Sequence, residues 1–440
     1  MPDQHNFNEQ QQAWFKKACA SINKDRLREL NRSLVDIHSP TGAEREASEY
    51  MASYMRNTGL QARYQPVNES SGNAIGELRG DGTGGTLLLY APIDTHLEGS
   101  DADLPMVGDR LRDDMKPHSI DRDDLVIGLG ASNPKSMVAS LTEAVNAVVD
   151  AGVQLKGNLV LAFAGGGMPL YVPERNNFGM SSGVSYMLTH GVTADYGIIM
   201  KPWYDIYHEH PGMCWFKVKV KGSLGYAGIP RGTPGFRSSI VPASVVIQEI
   251  EQWLSEFPEK HKTEQIAPEG WIAAVRSGWP ERPAFPAATT EIYLDVRTNP
   301  YQTMGEVRFE FDSMMRELLA KHPDIEADWE MYGSCPGSYT PKDHWIVQSA
   351  RSAWEAQEGK PYPGAAMLSG QTDAAIINKL GIPLVRVGFP WIGDTSVPDE
   401  FSDGLGGMGV SKIDDLIKPI ENIIYSIIDC CTRTREETGL

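Results

Sequence analysis

Four short stretches carry the residue types that do chemistry in proteins. The run "LLLYAPIDTHLEGS", Leu87 to Ser100, is apolar until it delivers Asp94, Thr95 and His96 to a strand end. "GLGASNPKS" sets Ser132 and Lys135 in S-x-x-K spacing, which puts an amine one helical turn from a hydroxyl. The same residues also read as a helix start, with Ser132 or Asn133 as cap and Pro134 at the first helical position. "HEH", His208 to His210, points two imidazoles to one side of a strand, as a metal ligand pair or as hinge or surface histidines would be. In "YLDVRTNP", Asp295 and Arg297 share a strand face and either meet a substrate carboxylate or pair with each other.

The surrounding pattern says what positions these groups. Apolar strands at Thr86 to Ile93, Asn158 to Ala164 and Tyr196 to Met200 alternate with helical periodicity, which predicts a largely parallel sheet covered by helices on both faces. From Cys214 the style changes: Phe216, Val218 and Val220 alternate with Lys217, Lys219 and Lys221, a strand with one wet face. A helix stripe of Val246, Ile250, Trp253 and Leu254 follows, then strands at Trp271 to Val275 and Glu291 to Arg297. A second stripe, Val307, Phe311, Met314 and Leu318, leads to a strand at Asp328 to Met331. The order βαββαβ is a ferredoxin-like α+β unit inserted into an α/β domain. After it come a helix at Thr372 to Leu380, a buried strand at Pro383 to Phe389 and a long helix at Ile413 to Ile428. The predicted division is 1–211, 212–332 and 333–440, the first and last together forming the catalytic-type domain.

Composition narrows the class of partner. A formal charge of -18 with pI near 5.0 argues against nucleic acid and anionic membranes, which select clustered Lys and Arg. The polar start "MPDQHNFNEQQQAWFKK" has no signal-peptide core, and no run of about 18 apolar residues occurs. Five cysteines without zinc-ligand spacing read as reduced thiols. The expectation is a soluble, cytoplasmic chain that handles small molecules.

Eight motifs in order carry a family resemblance across almost the whole chain: "SPTGAERE", "PIDTHLEG", "GLGASNPKS", "ADYGIIMKP", "GSLGYAG", "YLDVRTNP", "SGQTDAA" and "SVPDE". Together with the inserted βαββαβ unit they resemble the zinc exopeptidase and aminoacylase family that includes acetylornithine deacetylase, succinyl-diaminopimelate desuccinylase and the glutamate carboxypeptidases. The resemblance implies an α/β/α catalytic domain with a lid and dimerisation domain, a homodimer built through that insertion, and two zinc ions that activate water for amide hydrolysis.

Carried over residue by residue, the zinc ligands are missing. The family's first histidine is Pro92, and Asp94 stays as the residue that would orient it. The bridging aspartate falls on Asn133, the paired glutamates on Gly166 and Gly167 of "FAGGGMP", the next acidic ligand on Lys201 and the last histidine on Ser396. An ammonium in a dication's place repels it by several kcal/mol at moderate dielectric, so no zinc pair and no other cofactor is expected. In the family an imidazole from the lid of the partner subunit reaches across the dimer to the carbonyl oxygen; the resemblance puts Tyr226 at that position, and a phenol still donates one hydrogen bond there.

Two functions follow. In the first, a metal-independent hydrolase or lyase acts on a small carboxylated amide, such as an N-acyl amino acid. Lys201 and Tyr226 polarise its carbonyl, and Asp94, His96 or Lys135 handles a proton. Ser132, Asn133, Arg297, Ser369, Gln371, Asp373 and Ser396 are the expected substrate contacts. In the second, a non-catalytic relative keeps the fold for binding or assembly.

Overall fold

The computed structural model describes residues 5–390, 399–401 and 406–440. The chain divides into two compact units. One comprises 1–208, 339–365 and 372–440, and the other 209–338 and 366–371.

The first unit begins with helices α1 (Glu9–Ala20), α2 (Lys24–Asp36) and α3 (Arg45–Asn57). Asn8 starts α1 with a reciprocal capping box to Gln11, satisfying two backbone donors at the helix end. Strands β1 (Gln61–Pro66), β2 (Gly72–Leu78) and β3 (Leu87–Pro92) follow. Then come α4 (Met137–Asp150), β4 (Leu159–Ala164), α5 (Ser182–Thr189), β5 (Tyr196–Pro202) and the short β6 (Ile206–Tyr207).

The second unit holds β7 (Gly212–Lys221), α6 (Ile240–His261), β8 (Gly270–Ser277), β9 (Thr289–Thr298), α7 (Met304–Lys321) and β10 (Ala327–Cys335). The chain then returns to the first unit through α8 (Trp345–Glu358), α9 (Ala374–Lys379), β11 (Leu384–Phe389) and α10 (Ile417–Cys431).

Strand order in the first unit is β1-β2-β4-β3-β5-β11-β6, with β4, β3, β5 and β11 parallel and β1, β2 and β6 antiparallel to their neighbours. The sheet is therefore mixed at both margins and parallel at its centre. Period-two alternation sorts the central strands between two cores. Leu87, Leu89, Phe163, Ile198, Met200, Val385 and Val387 pack on α2, α4, α8 and α10. Leu88, Tyr90, Ala162, Ile199 and Leu384 pack on α5 and α9. Burial on both faces explains why these strands read as continuous apolar runs.

The second unit is a four-stranded antiparallel sheet, β8-β9-β7-β10, with one face under α6 and α7. Phe216, Val218 and Val220 enter that core and stack against Val246, Ile250, Phe311 and Met315. The element order is the βαββαβ expected from the sequence.

Two helix starts differ from the sequence reading. No side-chain cap forms at Ser132 or Asn133: the segment Ala131–Ser136 makes a wide turn, Asn133 is extended at φ -120° and ψ 107°, and α4 begins at Met137. The residue before a proline is disfavoured in the helical region, so Pro134 ends the preceding turn instead of starting the helix. The last helix begins at Ile417, after a 3-10 turn at Asp414–Leu416 that is tied down by Asp414 N donating to Asp124.

Candidate functional site

The parallel strands end together, and ligands in such sheets bind beyond the carboxyl ends. On the α5 and α9 side, the apolar rows of β3, β5 and β11 give way there to Tyr90, Lys201 and Arg386. Each is two residues beyond an apolar residue of the same face, so all three project from that face.

Asp94 follows β3 and is fully buried. Its carboxylate accepts from Thr41 Oγ1 at 2.7 Å and from the backbone N–H groups of Gly167 and Met168 at 2.9 Å each. The N–H of Gly166 donates to Glu44 Oε1 at 2.9 Å, as does that of Gly42 at 2.6 Å. Three successive N–H groups after β4 thus form a nest for two carboxylates. Gly166 lies at φ +64°, the left-handed region that this concave backbone needs. A Cβ at Gly166 would stand 2.1 Å from Ser182 Oγ, and one at Gly167 would stand 2.5 Å from Pro92 Cβ and 2.7 Å from Asp373 Oδ2. No side chain fits at either position without moving these neighbours. Burial, and then the charge of Asp94, hold Glu44 above the usual carboxylate range, and burial raises Asp94 as well.

Lys135 is fully buried and donates to Ser39 Oγ, with the carbonyls of Ile37 and Ile93 at 3.5 Å. Its amine turns to Ser39, and the partner suggested by the S-x-x-K spacing, Ser132, instead accepts at its carbonyl from Ser136 Oγ at 2.6 Å. Burial lowers Lys135 to about 7, against the opposing pull of Asp94 and Glu44.

Lys201 closes β5 opposite Gly388 of β11 and is 7% exposed. Among the described residues its ammonium has no hydrogen bond and no ion pair within 4 Å. Burial lowers it to about 8; Asp373 and Asp94 oppose this, and Arg386 adds to it. Asp373 precedes α9 and accepts from Tyr90 OH at 2.5 Å. Burial raises Asp373 to about 6, with Lys201 opposing. Arg386 donates to the Pro202 carbonyl at 2.9 Å and lies 5.4 Å over Trp203 and 5.0 Å over Tyr207. It thereby fixes the turn behind Lys201, where Trp203 takes the strained φ of +73°.

The remaining expected site residues lie as follows. His96 is partly buried and held neutral, lowered to about 4 by burial, with Asp103 as its nearby charge. Asn133 is buried, and its Oδ1 meets no donor among the described residues. In the second unit Tyr226 is exposed, its ring 5.9 Å from that of Phe285. Arg297 pairs with Asp295 at 2.7 Å, and Trp215 Nε1 donates to the same carboxylate at 3.0 Å, so the ion-pair alternative is the one realised. Ser369 Oγ accepts from Glu269 N at 2.8 Å, and Gln371 donates to Cys335 Sγ at 3.6 Å. Ser396 lies outside the described residues.

Glu209 of "HEH" spends its carboxylate on Thr263, Gln265 and Tyr301. Among the described residues no group of three or more His, Cys, Asp or Glu is placed to hold a metal.

Sequence reasoning missed Thr41, Glu44, Tyr90 and Arg386 as site residues. Arg386 left a signal, a lone charge inside the apolar run "LVRVGF", whereas Thr41 and Glu44 are polar residues in a polar loop and left none.

Solved structures share this architecture at low identity. Aminopeptidase PepT from Bacillus cereus matches at 17% identity over 93% of this chain and 99% of its own, with a TM-score of 0.62. Human carnosine dipeptidase 1 matches at 14% over 94% and 98%, with a TM-score of 0.67. The dipeptidase Dug1p from Saccharomyces cerevisiae matches at 11% over 95% and 98%, with a TM-score of 0.68. The sequence pattern of Peptidase family M20/M25/M40 matches residues 100–418, nearly three quarters of the chain, and with the fold it establishes that this protein belongs to that family.

Proposed function

We propose that the protein is a hydrolase of this family that works without the zinc pair, on a small carboxylated amide such as an N-acyl amino acid or a short peptide. The observation that carries this reading is Lys201, a buried ammonium with no hydrogen bond among the described residues, in the field of Asp373 at the carboxyl ends of the parallel strands. The donor set does not suit two zinc ions: by the resemblance, their ligand positions hold Pro92, Asn133, Gly166, Gly167 and Lys201. The first and the two glycines offer no side-chain donor, Asn133 offers a neutral amide, and Lys201 repels a dication.

In this reading the Lys201 ammonium faces the substrate carbonyl and stabilises the negative charge that develops on its oxygen. Asp373, half ionised near pH 6, takes the proton of the attacking water and returns it to the leaving amine. By the family resemblance, in which the lid of the partner subunit supplies this donor, Tyr226 of the partner subunit adds a second donor to the same oxygen. Lys135, Asp94 and Glu44 hold the loops in register behind the reacting groups. Assembly as a homodimer through the second unit is supported by the edge strand β8, which exposes Trp271 and Val275 along unpaired backbone. No helix among the described residues is long and apolar enough to cross a membrane.

The test is turnover of a panel of dipeptides and N-acyl amino acids, with elemental analysis of the same preparation. The expected result is hydrolysis that survives a strong chelator, with substoichiometric zinc. In Lys201→Ala, kcat/KM should fall by roughly a factor of 1000. A stoichiometric zinc pair overturns the metal-independent mechanism. Tight binding of panel members without turnover moves the protein to the non-catalytic alternative.

A further inference from the structure

The Lys201 pocket differs in kind from a site that only polarises a carbonyl. An ammonium held for electrostatics is normally fixed by hydrogen bonds to carboxylates or carbonyls, as Lys135 is. Lys201 is fixed by none among the described residues, although it is 93% buried (7% exposed). It projects from the same sheet face as Arg386, a second cation, and lies in the field of Asp373, more than 4 Å away, whose carboxylate is itself held by the Tyr90 hydroxyl at 2.5 Å.

A desolvated lysine near another cation, with a carboxyl group beyond direct contact that can exchange protons with a carbonyl bound between them, is an arrangement that turns an amine into a carbonyl nucleophile. The geometry points to Lys201 as an imine-forming residue, which gives this protein a second activity toward small aldehydes and ketones, including 2-oxo acids. This rests on the reading of the Lys201 cluster as the reacting site, and it adds a covalent chemistry that amide hydrolysis does not need.

The step balances without any further reagent. The Nζ lone pair attacks the carbonyl carbon, and the Asp373 carboxyl delivers its proton to the oxygen, giving a carbinolamine. The ammonium nitrogen of that adduct returns a proton to Asp373. The carbinolamine hydroxyl then leaves as water with the proton from Asp373, and the C–N double bond forms as a protonated imine beside the Asp373 carboxylate. One amine, one carbonyl and the Asp373 proton become one protonated imine and one water, with no change of oxidation state. Of the charged groups facing Lys201, Asp373 and Asp94 favour the ammonium while Arg386 favours the amine. Burial, the largest influence, sets the balance at about 8.

The experiment uses the full-length protein at pH 7.5 with glyoxylate, pyruvate or acetone and sodium cyanoborohydride, which reduces an imine to a stable secondary amine. Peptide mapping by mass spectrometry then locates the label. At this pH the amine form of Lys201 is populated on the order of 100-fold more than that of a lysine in free solution, and labelling of the exposed Lys260 serves as the reference in the same map. Lys201 is expected to be labelled first, by roughly that margin less its steric shielding, with a rate that rises with pH and levels off above about 8.

Lys201→Met should abolish the dominant label, and Asp373→Asn should slow it by roughly 10-fold or more while leaving Lys260 labelling unchanged. Mapping of the unaltered chain decides the point even if a variant fails to fold. Labelling spread over exposed lysines, or an unlabelled Lys201 at pH 9, overturns the inference. Labelling at Lys201 without hydrolysis of any amide removes the hydrolase reading and keeps this one. Chelator-resistant hydrolysis with Lys201 unlabelled does the reverse.

Discussion

Lys135 and Lys201 are both buried lysines of the first unit, and the protein treats them in opposite ways. Lys135 has no exposure, donates to Ser39 with two backbone carbonyls at its limit of reach, and sits behind the carboxylates of Asp94 and Glu44. Lys201 keeps a small opening to solvent and feels a carboxyl and a guanidinium, but among the described residues it has no acceptor. A buried charge is tolerated when it is hydrogen-bonded, and the first lysine meets that condition. The second does not, which leaves its ammonium free to meet a ligand. Burial lowers both below the usual range, so titration alone does not tell structural from reactive, and hydrogen-bond satisfaction does.

The comparison breaks most visibly through stability. Lys135→Met removes the donor from Ser39 and two carbonyls and leaves Asp94 and Glu44 without their cation; urea unfolding should show a loss of about 3–5 kcal/mol. Lys201→Met removes a penalised charge from a site with no hydrogen bond to lose, and the same measurement should change by less than about 1 kcal/mol or show a gain. Equal losses in the two variants would erase the distinction.

Titration gives the next largest effect. The folded pKa of Lys201, about 8, lies below the unfolded value of 10.5, so between these pH values the unfolded chain holds a proton that the folded chain has lost. Unfolding free energy contributed by this group therefore rises with pH across that window, by about 3 kcal/mol, after the full penalty below pH 8. The rise should vanish in Lys201→Met. For Lys135 the corresponding window opens lower, from about 7.

Asp94→Asn tests the shared carboxylate side. The amide keeps the shape but loses an acceptor for either Gly167 or Met168 N–H, and should cost about 2 kcal/mol in stability. Smallest is Arg386→Gln. Removing a like charge should raise the Lys201 pKa by up to about one unit, read as a shift in the pH profile of its reductive labelling. An unchanged profile would take Arg386 out of the electrostatics and leave it only the turn at Trp203.

Much of the fold was legible because burial on both faces and on one face leave different sequence patterns. "LLLYAP" and "KVKVK" announce the parallel centre of the first sheet and the half-wet second sheet. Helix starts were less legible. The position of α4 is decided by Asn133 lying extended before Pro134, and that of α10 by a tertiary bond from Asp414 to Asp124. For the site, a family resemblance and a lysine in an acidic position pointed to Lys201 and Asp94. Glu44 became visible only when folding laid its carboxylate against the N–H of Gly166, 122 residues away. Lys135 was legible as a residue but not as a role, because S-x-x-K spacing says nothing of Ser39, 96 residues upstream.

The glycine nest has a consequence for anyone who would place metal-binding carboxylates there. Carboxylates introduced at positions 166 and 167 would drive into Ser182, Pro92 and Asp373, next to the backbone that now binds Glu44 and Asp94. Carboxylates in the nest therefore require concerted redesign of the segments that carry Glu44, Pro92 and Asp94, Ser182, and Asp373, and a single substitution there meets the clash before it can serve any ligand.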